Sequence, residues 1–324
     1  MTLSDATLAR LAEVVEAPDL EGTRYELRGL VGRGGMGTVW RAHDRELGRE
    51  VALKVTSGPE PRPGLAARLR VEAQVLARLE HPGLVPVHDL GKLPDGRLYY
   101  AMKLVRGRRL DQHVSARPDL VGRLRVFERI CETVAVAHAQ GVIHRDLKPQ
   151  NVMVGPFGEV LVLDWGVAKV LGDGPPPDAP AAGDDLRPEV ALAQEAATLT
   201  AAGTVLGTPG YMAPEQARGE SDVGIAADVY ALGALLAFLA GPHPPPALAA
   251  VVGRARASRP QDRYAGAAAL AQEVSRYLSG LSVRAYAEGP WEVARRLGRK
   301  YRTPLALVFA YLVMRILLAL TAGI

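Results

Sequence analysis

Two hydrophobic periodicities divide the chain. From residue 25 to 55 apolar positions come in short runs, Tyr25 to Val31, Thr38 to Asp44 and Glu50 to Val55, separated by turn residues, which predicts a strand meander. From Gly64 to Glu80 the spacing changes to three and four, placing Leu65, Leu69, Leu76 and Leu79 on one helical stripe. Glu72 falls on that same stripe, and an inward carboxylate needs a cationic partner. Two further strands, Leu84 to Leu90 and Leu98 to Val105, lead into mainly helical sequence. It begins with Asp119 to Gln140, where Leu120, Leu124, Phe127, Cys131 and Val134 repeat at helical spacing, and resumes, rich in alanine, from Ala213 to about Gly280.

Three segments break the pattern. Ser4 to Glu16 carries Leu8, Leu11 and Val15 behind a Ser4 cap, which predicts a short amphipathic helix in an extension of residues 1–24 without a signal-peptide pattern. Residues 172–197 are dominated by Pro, Ala, Gly and Asp and are expected to form a mobile loop. Residues 304–324 hold a single charge, Arg315, behind a basic stretch at 281–303 that contains Arg295, Arg296, Arg299, Lys300 and Arg302. That length and charge asymmetry predict a membrane-spanning helix of about 30 Å with the preceding domain on the cytoplasmic side, the alternative being an apolar helix docked on the core of that domain.

Composition narrows the function classes. With 324 residues, 48% hydrophobic and 23% charged, the chain is that of a folded protein rather than a disordered or polytopic one. The net charge of +4 is small and carried mostly by arginine, 33 against 6 lysines, so bulk charge implies no nucleic-acid partner. A single cysteine, Cys131, rules out an intramolecular disulfide and a cysteine-built zinc site, and is read as a core residue. His43, His81, His88, His113, His138 and His243 show no metal-ligand spacing.

Candidate chemistry is concentrated in four places. Gly32-Arg33-Gly34-Gly35-Met36-Gly37 is a glycine pattern shared by several phosphate-binding folds. The residues after it, Thr38 to Ala42, read as a strand, so the glycines sit in a hairpin where backbone N–H groups can approach phosphate. An ordinary hairpin turn is the competing reading of this segment alone. Val51-Ala52-Leu53-Lys54 ends in a lysine that alternation turns inward, and Glu72 is the carboxylate to meet it. Next, His144-Arg145-Asp146-Leu147-Lys148-Pro149-Gln150-Asn151 fixes five chemically distinct residues in eight positions, and Asp164-Trp165-Gly166 follows. Finally come Gly207-Thr208-Pro209-Gly210-Tyr211-Met212-Ala213-Pro214-Glu215-Gln216, then Asp228-Val229-Tyr230 and Asp262-Arg263-Tyr264.

In this order the motifs resemble the bacterial, eukaryotic-like serine/threonine protein kinases, from Tyr25 to about Leu278. The resemblance implies an α+β, bilobal fold over residues 25–280: an antiparallel-sheet N-lobe at 25–103 with one main helix, and a mainly helical C-lobe at 106–280. It implies ATP as phosphate donor with magnesium, manganese being the alternative metal. Residue by residue, Asp146 matches the catalytic base, Lys148 the lysine that steadies the γ-phosphate, Asn151 and Asp164 the metal ligands, and Lys54, held by Glu72, the clamp on the α- and β-phosphates. Val31, Gly32, Gly34, Gly35, Gly37, Val39, Ala52, Met102, Lys103, Val105 and Met153 match the nucleotide pocket, with Met102 at the gatekeeper position. Thr208 matches the ledge threonine beside the acceptor, and Arg145 the arginine that pairs with a phosphate on the activation segment, for which Thr198, Thr200 and Thr204 are candidates. Partners implied are protein substrates with Ser or Thr acceptors, a second copy for autophosphorylation in trans, and the inner membrane as a single-pass anchor.

The sequence departs from the family pattern twice. Trp165 stands where phenylalanine is usual, and the stretch after the Asp228 helix is about two dozen residues short. The second departure keeps alive a membrane-tethered pseudokinase or ATP-binding scaffold, and a small-molecule kinase of related fold is a third reading. The Gly-Thr-Pro-x-Tyr-Met-Ala-Pro-Glu segment argues against the last, since it builds a peptide-binding ledge.

Overall fold

A computed structural model describes residues 17–34, 37–57, 63–116, 119–165, 169–170, 208–220 and 223–322. The predicted helix at 4–16, the loop at 172–197, Gly35, Gly166, Thr198, Thr200 and Thr204 lie outside the described residues.

The first lobe is a five-stranded antiparallel sheet in the order β1-β2-β3-β5-β4, formed by β1 (Tyr25–Gly34), β2 (Gly37–Asp44), β3 (Arg49–Val55), β4 (Val87–Lys92) and β5 (Leu98–Lys103). Alternation puts Trp40, Ala42, Val51, Leu53 and Ala101 on a buried face with Tyr25 and Tyr99, whose rings meet edge to face at 5.9 Å. Leu20 caps this cluster and Ala17 O accepts from Arg97, so the end of the N-terminal extension is part of the lobe. On the opposite face lies α1 (Pro63–Arg78), with Leu69, Leu76 and Glu72 turned inward.

One predicted strand moves. Leu84 and Val85 are buried but irregular, and pairing in β4 starts at Val87, because Pro86 has no N–H to donate and contributes only its carbonyl, to Lys103 N at 3.1 Å.

The second lobe is built around α3 (Leu120–Ala139). Asp119 caps it, accepting from Val121 N at 3.2 Å and Gly122 N at 3.0 Å, and Leu124, Phe127, Ile130, Cys131 and Val134 are fully buried. Each such side chain contributes about 1.5–3 kcal/mol relative to exposure. Short strands β6 (Arg108–Arg109), β7 (Val142–Ile143), β8 (Val152–Val154), β9 (Val160–Val162) and β10 (Lys169–Val170) and the helix α2 (Leu110–Ala116) pack on one another, with β7 and β9 against α3. Then follow α4 (Pro214–Ala217), α5 (Ile225–Ala240), α6 (Pro246–Ala255) and α7 (Ala267–Leu278).

The short connection after α5 closes cleanly. Gly241 at φ +83° ends the helix, a proline-rich loop turns the chain, and α6 packs straight onto α5 with Leu248, Val251 and Ala255 buried. Contact is tight enough that a Cβ on Gly233 would stand 2.7 Å from that of Ala255.

The domain does not stop at Gly280. Val283 is in the core, and buried Glu273 accepts from Arg284 N at 2.6 Å and Ala285 N at 3.2 Å. The basic stretch at 281–303 holds α8 (Pro290–Lys300), with Pro290 opening it and Glu292 accepting from Gly289 N at 2.9 Å. Arg296 clips this helix down, donating to Glu288 at 2.7 Å and to Gly280 O at 3.1 Å. α9 (Arg302–Ala322) follows, and its side chains from 306 to 318 are exposed. Among the described residues no helix is long and apolar enough to cross a membrane.

Candidate active site

Between the lobes the sheet delivers one cation. Lys54 on β3 stands opposite Val39 on β2 and Tyr100 on β5, and its Nζ lies 2.7 Å from each carboxylate oxygen of Glu72 and 3.2 Å from Oδ1 of Asp164. Tyr100 donates its hydroxyl to Glu72 Oε1 at 3.0 Å. Burial alone would push Lys54 down, but the two carboxylates outweigh it and hold its pKa above the ordinary lysine value. The lysine is therefore a fixed, fully charged donor at the cleft.

The glycine hairpin lies above it. Gly34 pairs with Gly37 across the two residues 35–36, and the register slips between Leu30 and Gly32. Gly37 has no room for a side chain: a Cβ there would come 2.3 Å from Val55 O. Val31 is 54% exposed, while Ala52 is buried opposite Met102. Lys103 and Val105 continue from β5, and Met153 sits on β8 between Arg109 and Leu161. Ala52 and Met102 are thus neighbours in the first-lobe sheet, while Met153 belongs to the separate three-stranded sheet.

The catalytic loop is fixed from beneath by one buried carboxylate. Asp228, at the start of α5, accepts from His144 N and Arg145 N, both at 2.8 Å, and meets His138 Nε2 at 2.9 Å. Burial would raise its pKa, but these bonds reverse the effect and hold the carboxyl below its usual range. Arg145 takes φ +69°, a left-handed turn that a loop must be held into. Gln216 supplies a second strut, donating to Arg145 O at 2.9 Å. His144 then accepts from Asp146 N at 3.2 Å through Nδ1, which leaves Nε2 to donate to Leu163 O at 2.9 Å.

Asp146 emerges from this scaffold with three side chains around it. Lys148 Nζ is 2.5 Å from Oδ2, Thr208 donates to Oδ1 at 3.2 Å, and Asn151 donates to the backbone oxygen at 2.8 Å and to Oδ2 at 3.2 Å. Lys148 also donates to Thr208 at 3.0 Å, so the ledge threonine bridges base and lysine.

Asn151 and Asp164 are tied together through Leu163 N, which donates to Asn151 O at 2.8 Å. With its amide nitrogen committed to Asp146, Asn151 presents its carbonyl oxygen as the acceptor end. Asp164, at φ +61°, is held below the ordinary carboxylate range: burial opposes this, but Lys54 prevails. An amide oxygen beside an ionised carboxylate is a donor set that fits a hard divalent cation needing further oxygens from a phosphate. Among the described residues no group of three or more His, Cys, Asp or Glu side chains could hold a metal.

Trp165 keeps the large aromatic contact expected of it. It is 1% exposed, meets the His144 ring at 4.6 Å with the planes tilted by 53°, and satisfies its own indole N–H on Val162 O at 3.2 Å. Below the ledge, Arg263 forks onto Glu215 at 2.6 and 2.8 Å and also reaches Ala226 O and Ala257 O, while its guanidinium lies 5.1 Å from the Tyr230 ring.

Four supports escaped the sequence reading. Tyr100 looks like any core strand tyrosine, His138 like any helix histidine, and Gln216 is a polar helix residue without a visible partner. Asp228 was quoted as part of a motif without its role as anchor.

Comparison with known proteins agrees with this geometry. The family described as "Protein kinase domain" matches residues 25–250. Serine/threonine-protein kinase PknD of Protochlamydia amoebophila is 36% identical over 227 residues, 65% of this chain and 22% of that protein. Serine/threonine-protein kinase PknA of Mycobacterium tuberculosis is 38% identical over 217 residues, 65% of this chain and 45% of that protein. The chain thus spans less than half the length of these curated relatives. Among solved structures, the Mycobacterium tuberculosis PknI kinase domain superposes with a TM-score of 0.55 at 25% identity, covering 80% of this chain and 99% of that one. Glycine hairpin, paired lysine, braced catalytic loop and ledge therefore have a shared origin: the chain belongs to the protein kinase family.

Proposed function

We propose that the chain transfers the γ-phosphate of ATP to serine and threonine hydroxyls of proteins, with magnesium as the metal. The observation that carries this is the arrangement of Asp146, Lys148, Asn151 and Thr208 below Lys54, Glu72 and Asp164. Lys54 holds the α- and β-phosphates and Glu72 keeps it aimed; the glycine hairpin covers them with backbone N–H groups. Asn151 and Asp164 hold the metal, which when bound neutralises phosphate charge. Asp146 orients the acceptor hydroxyl and takes its proton as the new O–P bond forms and the bond between the β- and γ-phosphates breaks. Lys148 steadies the transferring group. Thr208 favours a serine or threonine acceptor by setting the depth of the site.

Every residue of this machinery is present, which favours transfer over a pseudokinase scaffold. The test is a radiolabelled-ATP assay with a generic basic protein, comparing wild type with Asp146→Asn. Equal labelling by the two proteins would sink the assignment.

The wider reading is also proposed. Arg145 receives a phosphate on Thr198, Thr200 or Thr204 after transfer between two copies, an idea supported by a buried Arg145 Nε that has no hydrogen-bond partner among the described residues. Residues 304–324 anchor the chain in the inner membrane with the kinase cytoplasmic. The apolar run in the sequence and the exposure of Leu307, Phe309, Val313 and Leu317 support this, although no described helix is long and apolar enough to span. Carbonate-resistant membrane association of the full chain is the expected result, and a soluble monodisperse full-length protein would overturn it.

A further inference from the structure

A strand made of two arginines runs beside the catalytic loop. β6 pairs antiparallel with β8, Arg108 opposite Val154 and Arg109 opposite Met153, and lies against the Pro149–Asn151 turn that carries Asn151. Arg108 and Arg109 are exposed, as are Lys103 and Arg106 in the same stretch. Arg106 reaches Glu50 at 3.1 Å; Lys103, Arg108 and Arg109 make no ion pair among the described residues. The next element, α2, carries Asp111 in its first turn and packs on the same Pro149–Asn151 turn. From Lys103 to Asp111 there are four cations and this one carboxylate.

Unpaired guanidiniums on a two-residue exposed strand contribute little to folding. Their planar forks do match carboxylates, and they flank the place where an acceptor polypeptide must lie. We propose that Arg108 and Arg109 select acceptor polypeptides with Asp or Glu side chains near the hydroxyl. The inference rests on the kinase reading of the site and adds its substrate class. In the chain itself Thr198 has Glu195 three residues before it.

The test uses the full-length protein and three synthetic peptides with one threonine flanked by Glu, Gln or Lys. The Glu peptide should have a kcat/KM about tenfold above the Gln peptide, as expected of two exposed charge pairs acting together. That ratio should shrink as salt rises, since exposed charges are screened. Arg108→Glu with Arg109→Glu should abolish or invert the preference while leaving the Gln-peptide rate and the KM for ATP unchanged, which also shows that the variant is folded. The same variant should label an Asp146→Asn copy of the chain more slowly than wild type does. A wild-type preference for the Gln or Lys peptide, or a variant that keeps the Glu preference, overturns the proposal while the kinase reading stands. Transfer to none of the peptides, the Gln control included, sinks both.

Discussion

Two buried carboxylates organise the site, and they do so differently. Glu72 in the first lobe holds a side chain: Lys54, at 2.7 Å, with Tyr100 as a second donor. Asp228 in the second lobe holds backbone, the N–H groups of His144 and Arg145, with His138 behind it. The first aims a group that must meet a ligand. The second forces a loop into a left-handed turn that it would otherwise leave. Charge pairing therefore serves chemistry at Glu72, and hydrogen bonding serves shape at Asp228.

If this contrast is right, the largest effect belongs to Asp228. Asp228→Ala leaves the buried His144 N–H and the half-buried Arg145 N–H without their acceptor, at a cost of about 1–3 kcal/mol for the buried one, so the melting temperature should fall steeply and activity should vanish with it. A variant that melts like wild type by calorimetry would break the comparison. Lys54→Arg, which keeps a cation beside Glu72 but misplaces the phosphate clamp, should do the reverse: transfer falls by at least about a thousandfold while the melting temperature changes by only a few degrees. Loss of folding in that variant would show that the pair is structural after all.

Acid offers a finer discrimination. The folded pKa of Asp228 lies below the unfolded value of about 3.9, so its stabilisation is present above that pH and is lost as pH falls through the folded value. Thermal melts of wild type and Asp228→Asn should therefore converge toward pH 3 and diverge at pH 7. Lys54 is raised, so its contribution is complete below its unfolded value of about 10.4 and lost only as pH rises through the folded one. A Lys54→Met melt removes the cation that offsets the burial-raised pKa of Glu72, so its deficit from wild type should be smallest near pH 4 and widen as pH rises. The smallest effect is expected of Tyr100→Phe, which removes one hydrogen bond to Glu72 worth about 0.5–1.5 kcal/mol and should lower kcat/KM by about threefold to tenfold.

The same contrast explains what the sequence reveals. Lys54 and Glu72 were legible because a period of two and a period near 3.6 each turn a charge inward, and two such charges demand one another. The catalytic loop was legible from the unusual density of polar residue types between His144 and Asn151. Supports that act on backbone were not, since nothing local distinguishes Gln216 or His138 from a surface residue until the loop they brace is in place. Pro86 displaced a strand start by three residues for a reason visible in the sequence, its missing N–H. Helix α8 was likewise marked by Gly289, Pro290 and Glu292, a start signal hidden within a basic stretch.

The contacts past Gly280 bear on where this domain can be cut. Ending the chain there would strip Glu273 of both its donors, expose the pocket filled by Val283, and free the oxygen that Arg296 holds. A shortened protein made at that boundary would carry a buried carboxylate with no donor, and its poor yield would be mistaken for dependence on the C-terminal helix. The smallest piece that keeps Glu273 satisfied ends after Ala285, and one that keeps the Arg296 clip must include α8.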